Sequence, residues 1–271
     1  MTGVPMSAKE RAGTMAQGRG VRRVNAAASG VSPSNRLLAA LCADDRALLA
    51  PYLTQVQLER GAMLFDAGAD VVTTHFPCDG TMVALVVALP DGTLAETATV
   101  GREGAIGGIV SMGHKPAFAR AVVQIGGPAL RTDTARLEDL KMQSPSLRDA
   151  ISRYADCLIA QILQSVACNV LHSLEPRFCR WLLMAQDRVG GPLVPLTQEF
   201  LAEMLGVQRT TVTAVAASLQ ARQLIAYARG RITIVDRAGL EALACACHEA
   251  VVRHFEAVLP GVYPRFDEAS A

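Results

Sequence analysis

The sequence predicts an α+β chain: an N-terminal antiparallel β-roll (a double-stranded β-helix or jelly roll), a long helix, and a C-terminal winged helix-turn-helix. Three observations carry this expectation. Between Thr54 and Thr132, apolar runs of strand length alternate with Gly, Pro and Asp-Gly separators, the spacing of an antiparallel barrel or roll. From Pro145 to His172, apolar residues recur at intervals of three and four, the period of a helix. From Leu196 to Val235, two short amphipathic stretches flank Gly206 and then give way to period two, which is the order helix, turn, helix, hairpin.

Residues 1–34 are rich in Ala, Gly, Ser and Arg and poor in large apolar groups, so a disordered basic tail is expected. Lys9, Arg11, Arg19, Arg22 and Arg23 lead into no apolar core segment, which argues against a secretory signal. From Asn35 to Leu53 the leucines at 37, 38, 41, 48, 49 and 53 give short helices an apolar face. Strands are expected at Thr54–Leu58, Met63–Phe65, Thr73–Phe76, Met82–Leu89, Leu94–Val100, Ala121–Ile125 and Ala129–Thr132, with Pro90-Asp91-Gly92 as the clearest hairpin turn. A helix opens over Thr134–Asp139, and Pro145 starts the long one. Its stripe of Leu147, Ile151, Tyr154, Leu158, Ile162 and Val166 is widened by Ile159, Leu163 and Val170. A stripe this wide serves two neighbours, the β-roll and the same helix of a second subunit; a core helix of one domain is the alternative. Ser173-Leu174-Glu175-Pro176 breaks the pattern and is expected as a hinge. Arg177–Asp187, with Trp181, then packs as a helix, and Gly190-Gly191-Pro192 is a loop.

The stretch LTQEFLAEMLGVQRTTVTAVAASLQARQLI, Leu196 to Ile225, reads as two helices about a turn at Gly206. Thr197 has the hydroxyl to cap the first, and Glu199 places negative charge near its exposed amides. Phe200, Leu201, Met204 and Leu205 share a face, while Ala202 leaves room for a second helix. Gly206 takes the left-handed backbone that a short turn requires. In the second helix Val212, Val215, Ala216 and Leu219 form the buried stripe, leaving Gln208, Arg209, Thr210, Thr213 and Ala214 outward near its start. A recognition helix carries such a set into a major groove; an ordinary helical hairpin is the alternative. After Leu224 the alternation around Arg229-Gly230-Arg231 predicts a wing with a basic tip. Arg229 and Arg231 at that tip are expected to meet phosphates. Arg237–Val258 reads as a C-terminal helix.

At 271 residues and 51% hydrophobic composition the chain can hold two domains. No uninterrupted apolar run reaches the roughly 18–20 residues of a membrane span, so a cytoplasmic protein with no membrane partner is expected. The net charge of +1 does not by itself point to nucleic acid. The seven cysteines contain no C-x-x-C pair and are expected to be reduced and mostly buried. Cys245-Ala246-Cys247-His248 gathers thiols and an imidazole, but residues two apart on a helix diverge, so no metal site and no cofactor are expected. Glu96, Glu103 and Asp91 read as turn and surface residues. With no nucleophile elbow, H-E-x-x-H or Walker loop, an enzyme is not expected.

On these residues, TQEFLAEMLGV followed by turn, helix and wing, the C-terminal region resembles the DNA-binding domain of the Crp/Fnr superfamily of bacterial transcription regulators. The β-region before it resembles that superfamily's cyclic-nucleotide-binding β-roll. The resemblance implies a homodimer on double-stranded DNA with a near-palindromic operator, RNA polymerase as a candidate further partner, and a small-molecule or redox effector. The implied division is 1–34 tail, 35–140 sensor, 141–172 dimerisation helix and 173–271 DNA-binding domain. In nucleotide-binding members an Arg beside Ser or Thr holds the cyclic phosphate and a Glu holds the ribose. Here Gly107 or Gly108 stands at the Glu position and Ala119 and Ala121 flank Arg120, so cyclic AMP is not expected. Iron–sulfur members cluster cysteines near the N-terminus, where this chain has Cys42; His75, His114 and Cys78 are the candidate haem ligands. The family's helix-turn-helix register implies Arg209 as the base reader, with Gln208 and Thr211 placed for phosphates; Thr210 stands where members often carry Glu, and Ala214 where they often carry Arg. A sensor whose winged helix docks protein instead of DNA is the alternative reading.

Overall fold

The computed structural model describes residues 20–23, 34–90, 94–109, 115–228 and 230–266. Within them the expected strands form and pair. In chain order the N-terminal half comprises β1 (Val21–Arg23), α1 (Arg36–Ala40), α2 (Ala43–Leu49), a 3-10 turn at Ala50–Tyr52, β2 (Thr54–Leu58), β3 (Met63–Phe65), β4 (Thr73–Pro77), β5 (Met82–Ala88), β6 (Leu94–Val100), β7 (Arg120–Ile125) and β8 (Gly127–Asp133). The strands make two antiparallel sheets, ordered β1-β2-β8-β4 and β3-β7-β5-β6. Side chains alternate across each pleat, and Val56, Phe76, Val83, Val100 and Val123 meet in a core that α1 closes with Leu37. Pro90-Asp91-Gly92 runs into residues outside those described, but β5 and β6 pair on either side of it, through Ala88 and Leu94.

β1 corrects the expectation of a disordered tail over three residues. Val21, Arg22 and Arg23 pair with Leu58, Gln57 and Val56. A free strand edge presents backbone donors and acceptors whatever the composition of the segment that meets them. Residues 1–19 and 24–33 lie outside those described.

α3 (Thr134–Gln143) leads into α4 (Pro145–Leu171), whose first turn Ser144 caps through the Leu147 amide at 3.2 Å. Leu147, Ile151, Tyr154 and Cys157 are buried against the chain, whereas Ile159, Leu163, Val166 and Val170 are 48, 65, 59 and 78% exposed. By length and mean hydropathy α4 also reaches the range of a membrane span; a search for uninterrupted runs misses this because polar residues are interspersed.

The C-terminal unit comprises α5 (Leu174–Val189), β9 (Leu193–Val194), α6 (Gln198–Leu205), α7 (Arg209–Ala221), β10 (Ile225–Ala228), β11 (Arg231–Ile234), α8 (Arg237–Leu243) and α9 (Cys247–Val258). The hinge is shorter than expected. α4 is capped by His172 and α5 already starts at Leu174, so Pro176 lies in a first turn, where its missing N–H costs nothing. β9 was not legible in the sequence; it joins the wing through Val194 and Ile232. The single C-terminal helix expected over Arg237–Val258 is two, broken at extended Ala244. α9 returns to the sensor unit, burying Val251, Val252 and Phe255 in the same core as Leu147 and Ile151.

Charges withdrawn from the surface join the two units, correcting the surface reading of Glu96, half-buried, and Glu103, buried. Glu103 and Arg188, 2 and 0% exposed by side chain, pair at 2.8 Å. Arg188 also donates to Gln161 Oε1 at 2.9 Å, and Gln161 donates to the Thr99 carbonyl at 2.9 Å. Burial alone would lower the Arg188 pKa; the Glu103 carboxylate outweighs it and holds the guanidinium charged. Glu96, in mid-strand, accepts from Trp181 Nε1 and Thr99 Oγ1, each at 3.0 Å. Burial pushes its carboxyl up, against the bonds from Gln124, Trp181 and Thr99. Asp91 lies outside the described residues.

Asp187 ties the last segment down, meeting His248 Nε2 at 2.9 Å, Arg237 Nη1 at 3.0 Å and the Phe266 amide at 2.9 Å. Burial pushes its carboxyl up, but the His248 bond and the Arg237 charge outweigh it and leave it below its ordinary 3.8. A depressed folded pKa contributes stability that is present above the unfolded value and lost as pH falls through the folded one. The expected result is an acid transition beginning below about pH 4, followed by Trp181 fluorescence, and weakened in Asp187→Asn, which lacks the titrating group.

Candidate DNA interface and sensor cavity

α5, α6, α7 and the three-stranded wing enclose their own core, with Trp181, Leu182, Leu201, Leu205, Val212, Ala216, Leu219 and Ile232 inside. Thr197 caps α6 as its sequence suggests, accepting from the Phe200 amide at 3.3 Å. Gly206 ends the helix at φ 65°, a left-handed value that glycine adopts without Cβ strain. α7 then begins at Arg209 with Gln208 in the cap position.

The expected contact residues sit on the outside of this unit. Gln208, Arg209, Thr210, Thr211, Thr213 and Ala214 are exposed, as is Arg231 at the start of β11. Arg229 lies outside the described residues. Gln208, Arg209, Thr210, Thr211 and Arg231 have no side-chain hydrogen-bond partner among the described residues, so their donors are open to a ligand. Thr213 differs: its hydroxyl lies 2.7 Å from Gln198 Oε1 and 2.9 Å from the Arg209 carbonyl, so its proton is already used within the protein. Val215 is only half-buried, leaving Val212, Ala216 and Leu219 as the seam of α7.

α6 does not spend its whole apolar face on α7. Leu201 and Leu205 enter the helix-turn-helix core, while Met204 packs with Ala84 and Val86 of the sensor sheet and Phe200 touches both cores. The Arg60 guanidinium stacks over the Phe200 ring at 5.8 Å, and Gln124 Nε2 lies 3.1 Å from Met204 Sδ. Period alone placed all four residues on one face. A helix flanked on two sides divides the same stripe between its neighbours.

Within the β-roll a cavity of about 450 Å³ is lined mostly by apolar groups, among them Phe65, Val71, Leu85, Ile106, Leu158 and Ile162. Gly107 and Gly108, at its wall, have φ of 92° and 62°. A Cβ on Gly107 would meet the Thr73 carbonyl at 2.5 Å, and one on Gly108 would overlap the Thr134 side chain. In this backbone neither position accommodates a Glu side chain. Arg120 is engaged with Asp66 at 3.1 Å. Calorimetry with cyclic AMP or cyclic GMP is expected to show no binding in the micromolar range or tighter.

Of the candidate haem ligands, His75 and Cys78 do not line this cavity. Burial, then the Arg131 charge, depresses the His75 imidazole to about 4. Burial raises the Cys78 thiol to about 12, and its S–H faces the Phe76 carbonyl at 3.6 Å. His114 lies outside the described residues.

Residues 176–243 match the Crp-like helix-turn-helix domain family. No curated protein shows a sequence match to the chain. Among solved structures, a CRP-family transcriptional regulator from Thermus thermophilus, TTHB099, is 22% identical with a TM-score of 0.57, over 69% of this chain and 95% of its own. FixK2 from Bradyrhizobium japonicum is 14% identical with a TM-score of 0.62, over 72% of this chain and 98% of its own. The c-di-GMP responsive global regulator CLP of Xanthomonas campestris is 14% identical with a TM-score of 0.57, over 71 and 99% of the two chains. The architecture described above, β-roll, long helix and winged helix-turn-helix, is therefore the Crp/Fnr fold.

Proposed function

We infer that this chain is a Crp/Fnr-type transcription regulator that binds double-stranded DNA as a homodimer in the cytoplasm. It divides into a tail over 1–34 that lends β1 to the sensor sheet, a sensor over 35–140, a dimerisation helix over 141–172 and a DNA-binding region over 173–271 whose α9 returns to the sensor core. The observation that supports this best is the exposed, unpartnered start of α7, with Gln208, Arg209, Thr210 and Thr211, on a Crp-like helix-turn-helix flanked by a wing carrying Arg231. Arg209 bonds bidentately to a guanine edge. Gln208, Thr211, Arg229 and Arg231 hold phosphates, Thr210 adds methyl and hydroxyl contacts, and Thr213, whose proton is already used, adds a methyl. The sensor takes a largely apolar effector rather than a cyclic nucleotide. Effector occupancy reaches the DNA-binding unit through Glu96–Trp181, Glu103–Arg188 and the Met204 contact. RNA polymerase is a further partner on the promoter. No catalytic step is assigned to the chain.

Selection of duplexes from a random pool by the purified protein tests this reading. The expected product has two half-sites one helical turn apart, about 34–36 Å, bound with an affinity that falls steeply with salt. A pool that remains unenriched overturns it. On the selected duplex, Arg209→Ala is expected to lose about 1–3 kcal/mol of preference for the specified base while keeping salt-dependent binding to other sequences. Arg231→Ala is expected to weaken all sequences alike and to reduce the salt slope by about 1. Anisotropy titrations across salt measure both.

A further inference from the structure

The end of α4 and the bend between α8 and α9 bring together four side chains that the proposed DNA interface does not use. Cys168 lies on the last turn of α4, and His172 is the cap four residues on. Cys245 and Cys247 flank Ala246 in the bend. One ligating atom from each of the four lies within 4.8 Å of every other. Cys168 Sγ is 3.5 Å from Cys245 Sγ, and Cys247 Sγ is 3.6 Å from His172 Nδ1. The expectation that Cys245 and Cys247 diverge assumed one continuous helix. With α8 ended and α9 starting at Cys247, extended Ala244 and αR Ala246 turn both thiols the same way. His248, the imidazole nearest in sequence, is committed to Asp187 instead.

We propose that Cys168, His172, Cys245 and Cys247 form a Cys3His site for a thiophilic divalent metal ion, with zinc(II) as the ion its ligands best match. Three thiolates and one imidazole are a closed tetrahedral set of the structural kind. Zn–S bonds of about 2.3 Å place the sulfurs of a tetrahedron about 3.8 Å apart; the observed separation is close to that and far from the roughly 2.05 Å of a disulfide.

A divalent ion with three thiolates is a net monoanion. Burial opposes a thiolate at Cys168 and the Arg180 charge works against that penalty, while Arg177 is coupled by charge to Cys168 and Cys245. The Nε atoms of both arginines are buried without a hydrogen-bond partner. Gln164 Nε2 lies 3.1 Å from Cys247 Sγ, the kind of outer donor that steadies a ligand. Cys247 opens α9, whose first amides have no side-chain cap, so the helix dipole also favours a thiolate there. A cavity of about 200 Å³, lined by Cys245, Ala246 and His248, opens beside the site as an entry path. Binding exchanges three S–H bonds for three metal–sulfur bonds and releases three protons. The ion links the last turn of α4, just before the hinge at Ser173, to the segment that returns from the winged helix, so it pins the strap formed by α8 and α9 across the hinge.

Titrating the reduced, full-length chain with Co²⁺ under argon tests this. The expected result is one equivalent bound with the visible d–d bands and near-ultraviolet thiolate charge-transfer bands of a tetrahedral thiolate site, both removed by Zn²⁺. Cys245→Ser with Cys247→Ser should abolish the bands, and Cys42→Ser should leave them. An octahedral spectrum in the native chain overturns the proposal whatever the variants do. So does a tetrahedral spectrum that survives in the double variant, with circular dichroism confirming its fold. DNA is absent from the assay, so the outcome is independent of the regulatory reading.

Discussion

Arg188→Ala is expected to destabilise the chain by about 3–5 kcal/mol, the cost of breaking a buried ion pair from one side. Arg188 is wholly buried, donates to Glu103, Gln161 and the Met184 carbonyl, and lies with Cζ 5.7 Å from the Tyr263 ring centroid. Removing it leaves the Glu103 carboxylate with the Gly101 amide as its remaining partner on Oε1, while Oε2 already has none. It also leaves Gln161 Oε1 bare. Urea unfolding monitored by Trp181 fluorescence measures the loss. The pairwise origin is tested by Arg188→Met with Glu103→Leu, which removes both charges and should recover most of the stability, since an apolar pair of similar volume replaces a buried ion pair at little cost. A double variant as unstable as the single one would place the effect in packing instead. Because the pair joins α5 to the sensor and to the C-terminal segment, the single variant should also release the DNA-binding unit to proteolysis at the hinge near Ser173.

Leu163→Asp combined with Val166→Asp is expected to convert the proposed dimer to a monomer and to weaken binding to a two-half-site duplex by about 10²–10⁴-fold, the avidity that linking two sites confers. Ile159, Leu163, Val166 and Val170 are spaced by four, three and four along one exposed line of α4, the seam spacing of a coiled pair. Burying side chains of this size is worth about 1.5–3 kcal/mol each, and an aspartate at the centre of the seam reverses the sign. Affinity for a single half-site should be nearly unchanged, since α7 is untouched. Light scattering and anisotropy on both duplexes make the measurement. A wild-type chain that is already monomeric at micromolar concentration would remove the premise.

Much of the fold was determined by the sequence alone, because local rules and burial agreed. β2, β3 and β6 have the boundaries read from turn chemistry and strand-length apolar runs. Thr197, Gly206 and the Val212-Ala216-Leu219 seam do what capping and period predict. The outward residues of α7 were legible because a helix that buries one stripe must expose the other. Tertiary structure decided whatever depended on which surfaces meet. Composition did not reveal that Val21–Arg23 would find a free edge on β2, or that α6 would divide its stripe between two cores. Glu103 and Glu96 read as surface groups because their partners, Arg188 and Trp181, lie 85 positions away. The Cys3His cluster was hidden for the same reason: its pairs are 77 and 75 residues apart, and the short break from Ala244 to Ala246 decides whether two neighbouring thiols converge. Periodicity reports which face of an element is apolar. Which neighbour covers that face is set by the free energy of the assembled chain, and no single segment contains it.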